Sequence, residues 1–211
     1  MPTARDALLD AARAALADLP WPAVRMVEVA AAAGVSRQTL YNEFGSKEGL
    51  ARALVRHETD AYLSGVERVL AERTDPVDRF LALTEWTVRE ARAKPLLRAL
   101  LTGCWTERLP APRPARPRTR VAAAPPAQRR ADEGPPAPGQ LVAAVRDRLR
   151  AAAGPGVDRD ACELLVRLAL SYVVAPQWEE PDSWRPMTPT ITSVIEMIFS
   201  TDTRSPRKIM P

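Results

Sequence analysis

The stretch GVSRQTLYNEFGSKEGL, residues 34–50, fits a glycine turn, a short polar helix, a second glycine turn and a fresh helix start into seventeen residues. Gly34 supplies the left-handed residue that ends a helix predicted over 26–33. Ser36 stands where an N-cap belongs, its hydroxyl placed to take the backbone N–H of Gln38 or Thr39, and the next helix runs from Arg37 to about Glu43. A helix of about seven residues is marginal alone, so tertiary contacts must hold it. Leu40 and Phe44, four apart, give it an apolar back, while Arg37, Gln38, Thr39 and Asn42 point the other way. Arg, Gln and Asn carry the donor and acceptor geometry that reads base edges in the major groove. Two helices joined by a glycine turn form the helix-turn-helix that delivers them there. Face composition alone leaves a second reading open, a solvated polar face on a surface helix.

Outward from this stretch the chain reads as helix after helix. Residues 4–19 place Leu8, Leu9, Ala12, Leu16 and Leu19 on one face, and Pro20 stops them. Ser46 caps a long helix over 47–72, with Leu50, Leu54, Ala61, Val66 and Leu70 as inward positions. Asp75 and Pro76 form an N-cap and N1 pair for a helix ending near Lys94, and Pro95 opens a short one. Further helical stretches are GQLVAAVRDRLRAAA (139–153), DRDACELLVRLALSYVVA (158–175) and TPTITSVIEMIFS (188–200). No alternating run of β-branched residues appears, so the fold class is all-α.

Length and composition bound the rest. A chain of 211 residues with 46% hydrophobic content is enough for one domain or two small ones with buried cores. The net charge of +4 is local: six arginines against Asp132 and Glu133 between Pro110 and Pro138 account for all of it. Bulk charge is therefore weak support for nucleic-acid binding. Nine of the 21 prolines fall in that same stretch, so 108–138 is expected to be a disordered linker. Cys104 and Cys162 lie far apart without signs of secretion and are expected as buried free thiols. No signal-peptide order and no apolar run of roughly 20 residues occurs, which points to the cytoplasm.

Taken together, VEVAAAAGVSRQTLYNEFGSKEGL (27–50) resembles the helix-turn-helix of the tetracycline-repressor (TetR) family. The matching elements are Val29 and Ala30, Ala33 to Ser36, Thr39 to Tyr41, Phe44, and Ser46 to Leu50. The likeness covers roughly the first 60 residues. It implies a DNA-binding domain over 1–47 and a helical effector-binding and dimerisation domain over 48–211. It also implies that Tyr41 and Lys47 clamp phosphates, the latter beside a helix N-terminus that favours anions. With Ser36, Arg37, Gln38, Thr39 and Asn42 they make up the expected DNA-binding set, Arg37 suited to guanine and Gln38 or Asn42 to adenine. One position departs from the family: Arg25 stands where a capping Thr or Ser is usual, so charge replaces the hydroxyl at the phosphate.

The family resemblance further implies a homodimer on a palindromic operator and a small-molecule effector, with repression the expected sign. Leu164, Leu165, Leu168 and Tyr172 on one late helix, with Val194, Ile195 and Ile198 on the last, form two apolar stripes for the dimer face. Tyr62, Trp86, Cys104 and Trp105 are the expected lining of an effector pocket.

Other classes fit less well. Ala61 stands where a zinc helix beginning at His57 would need its second histidine, and His57 is the only one in the chain. No glycine-rich phosphate loop or Gly-x-Ser-x-Gly elbow occurs, so no enzyme, metal or cofactor is expected. The alternative reading is a helical protein–protein interaction module without DNA binding.

Overall fold

The computed structural model describes residues 3–111, 136–154 and 157–175, together with Ser193 and Ile195. Within them the chain is all-helical: α1 (Ala4–Asp18), α2 (Met26–Ala32), α3 (Arg37–Phe44), α4 (Lys47–Ala71), α5 (Pro76–Ala93), α6 (Pro95–Thr102), α7 (Pro138–Ala153) and α8 (Arg159–Val174), with a 3-10 turn at Trp21–Ala23. No strand occurs among the described residues. Nor is any helix there long and apolar enough to cross a membrane. The described residues fall into two compact units, one drawn from 1–61 and 104–136, the other from 62–103 and 137–211. Helix α4 contributes to both.

In the first unit α1 packs on α2 and α3, and α2 on α3. A capping box starts α1: the Thr3 hydroxyl accepts from Asp6 N at 3.2 Å and the Asp6 carboxylate from Thr3 N at 3.0 Å. Leu8, Leu9 and Ala12 are buried, and Leu16 is half-buried. Leu19, expected on the same face, is 39% exposed, because the helix ends at Asp18 and Leu19 is its extended C-cap.

The second unit is organised by the α7–α8 pair, with α5 on α8 and α6 against both. Arg146 is nearly buried on α7 and donates to Glu163 of α8 at 3.0 Å and to Asp147 at 2.7 Å. Glu163 also accepts from Arg167, and these bonds hold both carboxyls below their ordinary range. A charge this deep in a core survives because it is paired on two sides. Asp75 caps α5 through Val77 N and Asp78 N, as its place before Pro76 requires.

Two expectations need correction here. On α4, Leu50, Leu54, Val66 and Leu70 are buried but Ala61 is exposed, and Tyr62 takes the inward place. The buried row runs 50, 54, 58, 62, 66, 70, a four-residue step that winds about 40° round the helix each time. A face chosen at the start of α4 is therefore the wrong face by its middle. Cys162 is buried as expected, and burial pushes its thiol up, but Cys104 is exposed. It follows Gly103, whose left-handed conformation (φ 74°) ends α6 and turns the chain outward.

Of the segment expected as a linker, residues 112–135 lie outside the described residues. At its margins, Arg108 O accepts from Trp21 N at 2.8 Å, and Pro138 is the first residue of α7.

Candidate nucleic-acid interface

Helix α2 begins at Arg25, which occupies the N-cap without a side-chain capping bond and pairs loosely with Glu28 at 3.7 Å. Its guanidinium is 79% exposed. The helix stops because Gly34 takes φ 67°, which lets Gly34 N reach Ala31 O at 3.1 Å and Val35 N reach Ala30 O at 3.0 Å. Ser36 then caps α3, its hydroxyl accepting from Thr39 N at 3.0 Å and lying 2.8 Å from the Thr39 hydroxyl.

Leu40 (0% exposed) and Phe44 (5%) fix the back of α3 in the first unit's core. The Arg5 guanidinium covers the Phe44 ring at 4.7 Å and pairs with Glu43, closing the helix's far end. Arg37, Gln38, Tyr41 and Asn42 are exposed, and Thr39 is half-buried. These outward side chains are ordered in pairs one turn apart. Gln38 Nε2 donates to Asn42 Oδ1 at 2.8 Å, and the Arg37 guanidinium lies over the Tyr41 ring at 5.4 Å.

The Gln38–Asn42 bond has a chemical consequence. One amide oxygen is spent as acceptor and one N–H as donor, which leaves the pair with a Gln38 oxygen to accept and an Asn42 N–H to donate. Adenine presents a matching donor and acceptor, N6–H and N7, in the major groove. Flipping both amides reverses the internal bond but still leaves one donor and one acceptor outward.

Lys47 is placed differently from the phosphate clamp that the resemblance implies. Its Nζ donates to Val24 O at 2.6 Å and Pro22 O at 3.0 Å and sits over the Trp21 ring at 5.3 Å. Burial lowers its proton affinity, partly offset by Glu48. The ammonium therefore ties the first residue of α4 to the turn that leads into α2. Neither Trp21 nor those carbonyls carries a sequence signal for this tie. The pairs on α3 were readable in principle, since i and i+4 residues share a face.

The expected effector residues divide between the units. Tyr62 and Trp86 are buried and stacked, 5.4 Å between ring centroids, with the Tyr62 hydroxyl 3.2 Å from that of Thr87. Exposed Cys104 and half-buried Trp105 belong to the first unit, where Trp105 lines a cleft with Trp21 and Lys47. On the expected dimer face, Leu164 is 57% exposed and Leu168 half-buried. Leu165, Tyr172 and Ile195 must be reassigned: they are buried within the single chain, so their side chains serve its own core. Val194 and Ile198 lie outside the described residues. Among the described residues no group of three or more His, Cys, Asp or Glu is arranged to hold a metal ion.

Comparison with known proteins converges on this site. Residues 8–54, which contain α2, α3 and the start of α4, match the model of the bacterial regulatory proteins of the tetR family. The chain is 41% identical over 100 residues to the HTH-type transcriptional regulator AlkX of Mycobacterium tuberculosis, covering 47% of each chain. It is 44% identical over 78 residues to the HTH-type transcriptional repressor LfrR of Mycolicibacterium smegmatis, covering 36% of this chain and 39% of that one. With the HTH-type transcriptional activator FasR of the same organism it shares 38% over 81 residues, 38% of this chain and 37% of the relative. Thus the match spans less than half the length of these curated relatives. In overall fold the chain is similar to the crystal structure of the TetR family repressor AlkX from Dietzia sp. (TM-score 0.52, 22% identity, 94% of this chain and 95% of that one). Residues 8–54 thus carry the helix-turn-helix region of the tetR family of bacterial regulatory proteins, and the all-helical fold of the chain is similar to that of the Dietzia repressor.

Proposed function

We propose that the chain is a sequence-specific DNA-binding transcriptional regulator, acting in the cytoplasm as a homodimer on a palindromic operator and responding to a small-molecule effector. The observation that carries this reading is the two-sided α3: Leu40 and Phe44 buried behind, Arg37, Gln38, Tyr41 and Asn42 exposed in front. In the major groove Arg37 pairs with guanine, and the Gln38–Asn42 pair meets adenine. Arg25, Ser36, Thr39 and Tyr41 contact phosphates and set the register without specifying sequence. Lys47 steadies the turn before α2 and so brings Arg25 to the backbone.

Residues 1–47 would thus read DNA, and 48–211 would bind the effector and the second copy. A single short helix buries too little to select a site, and two copies spaced about one DNA turn apart, roughly 34–36 Å, double the readout. Leu164 and Leu168 offer apolar side chains to that second copy. The effector acts through different affinities for two arrangements of the dimer, and Tyr62 and Trp86 are the aromatic residues proposed to sense it. Repression is the proposed sign, since a bound dimer obstructs promoter DNA without further machinery.

The test is binding of the full chain to a duplex pool at rising salt. A protein that neutralises several phosphates loses affinity with a slope near −0.9 per phosphate on logarithmic axes. Binding that ignores salt, or no duplex binding at all, would instead favour a helical module whose partner is another protein.

A further inference from the structure

Arg37 is the first residue of α3, where the helix dipole disfavours a cation, and no acid in that first turn offsets it. The arginines of α1 and of the α2 N-cap are placed otherwise: Arg5 lies 3.4 Å from Glu43, Arg13 2.8 Å from Asp10 and Arg25 3.7 Å from Glu28. Among the described residues the Arg37 side chain makes no ion pair or hydrogen bond, and its guanidinium lies over the Tyr41 ring, 5.4 Å from the centroid. A ring face attracts the charge without occupying the N–H groups as a carboxylate would. All five donors therefore stay available for the O6 and N7 of a guanine. The Tyr41 hydroxyl also makes no hydrogen bond among the described residues.

An exposed arginine loses rotamer freedom when a base fixes it, and that loss subtracts from the discrimination it can deliver. A ring four residues along the same helix, in contact before any partner arrives, removes part of that freedom in advance. We propose that Tyr41 sets guanine selectivity through Arg37: its ring holds the guanidinium in place, while its hydroxyl keeps the sequence-neutral contact with phosphate. Tyr41 is then a positioning residue for base reading as well as a backbone contact. This role rests on α3 being the base-reading helix.

The experiment measures binding of the full chain to the duplex that the parent selects from a random pool, and to copies with one guanine changed to adenine. The position read by Arg37 is the one at which Arg37→Ala loses the guanine preference. There Tyr41→Leu, which removes the ring, should narrow the guanine-to-adenine affinity ratio about two- to fivefold and leave the ratios at other positions unchanged. Tyr41→Phe should keep the ratio and weaken both duplexes alike. Tyr41 is exposed, so neither change opens the core. In the DNA-free chain, the Arg37 δ-methylene protons should show an upfield ring-current shift in the parent and in Tyr41→Phe, and lose it in Tyr41→Leu. The proposal is overturned if Tyr41→Leu keeps the parent's ratio, if Tyr41→Phe narrows it as much, if every position narrows equally, or if the parent lacks the ring-current shift. Those results leave DNA reading by α3 standing. A parent that binds no duplex, or an Arg37→Ala chain that keeps every base preference, would overturn that reading or Arg37's part in it, and the role of Tyr41 with it.

Discussion

The two units bury leucines alike and expose different chemistry. On α3 the residues left outside are Arg37, Gln38, Tyr41 and Asn42, paired with one another across single turns. On α8 they include Leu164, 57% exposed, and Val174, 59% exposed, with Leu168 half-buried one turn from the former. The first surface suits a partner with its own pattern of donors and acceptors. The second suits an apolar surface, and a helix of sixteen residues carries it without help from caps alone. An eight-residue helix such as α3 has no such reserve, so its exposed chemistry depends on two buried side chains.

That dependence gives the largest expected effect. Leu40→Ala should cost about 2–5 kcal/mol in the first unit, because a fully buried leucine leaves a cavity behind. Hydrogen exchange should show protection lost across α1 to α3 and retained in α7 and α8. Equal loss in both would mean that the units do not differ in the way described.

Next comes a pH effect confined to the second unit. Burial pushes the Tyr62 hydroxyl up to about 12 from an ordinary 10.0, while its bond with Thr87 opposes the shift. The unfolded chain releases this proton first, so the contribution is whole below pH 10 and is lost as pH rises toward 12. The loss is roughly 2–3 kcal/mol. Denaturant unfolding across that window should show Tyr62→Phe to be less sensitive than the parent; an identical decline would remove Tyr62 as the cause.

Close packing gives a third expectation. A Cβ on Gly65 would lie 2.3 Å from the Trp86 ring, so Gly65→Ala must displace an indole that is stacked on Tyr62. The cost should be about 1–3 kcal/mol. Near-ultraviolet circular dichroism should record the altered stack, and an unchanged spectrum with unchanged stability would contradict the packing described. The smallest stability effect belongs to Leu164→Asn, within about 0.5 kcal/mol because the side chain is exposed. If Leu164 meets a second copy, sedimentation should nevertheless show a weaker dimer, and an unaltered association would take Leu164 out of that face.

The first unit was more legible in the sequence than the second, for physical reasons. Ser36, Gly34 and the Leu40–Phe44 spacing are local signals, and local signals decide a helix this short. Leu164 and Leu165 are neighbours of equal hydropathy, and only the angle at which α8 meets α5 and α7 decides that one is exposed and the other buried. Tyr62 in place of Ala61 follows from the winding of the buried row along α4, which no single turn reveals. The Lys47 tie joins an ammonium to carbonyls 25 and 23 residues away, and every residue has a carbonyl. Such contacts leave no pattern in composition or spacing.

The most direct test of the central claim is selection of bound duplexes from a random pool by the parent chain and by Asn42→Ala in parallel. The parent should enrich paired half-sites about one helical turn apart. The Asn42 variant should keep that spacing and lose discrimination at one A·T position by about 1–3 kcal/mol. Identical motifs from the two chains, or no enrichment by the parent, would contradict the assignment of base reading to the outer face of α3.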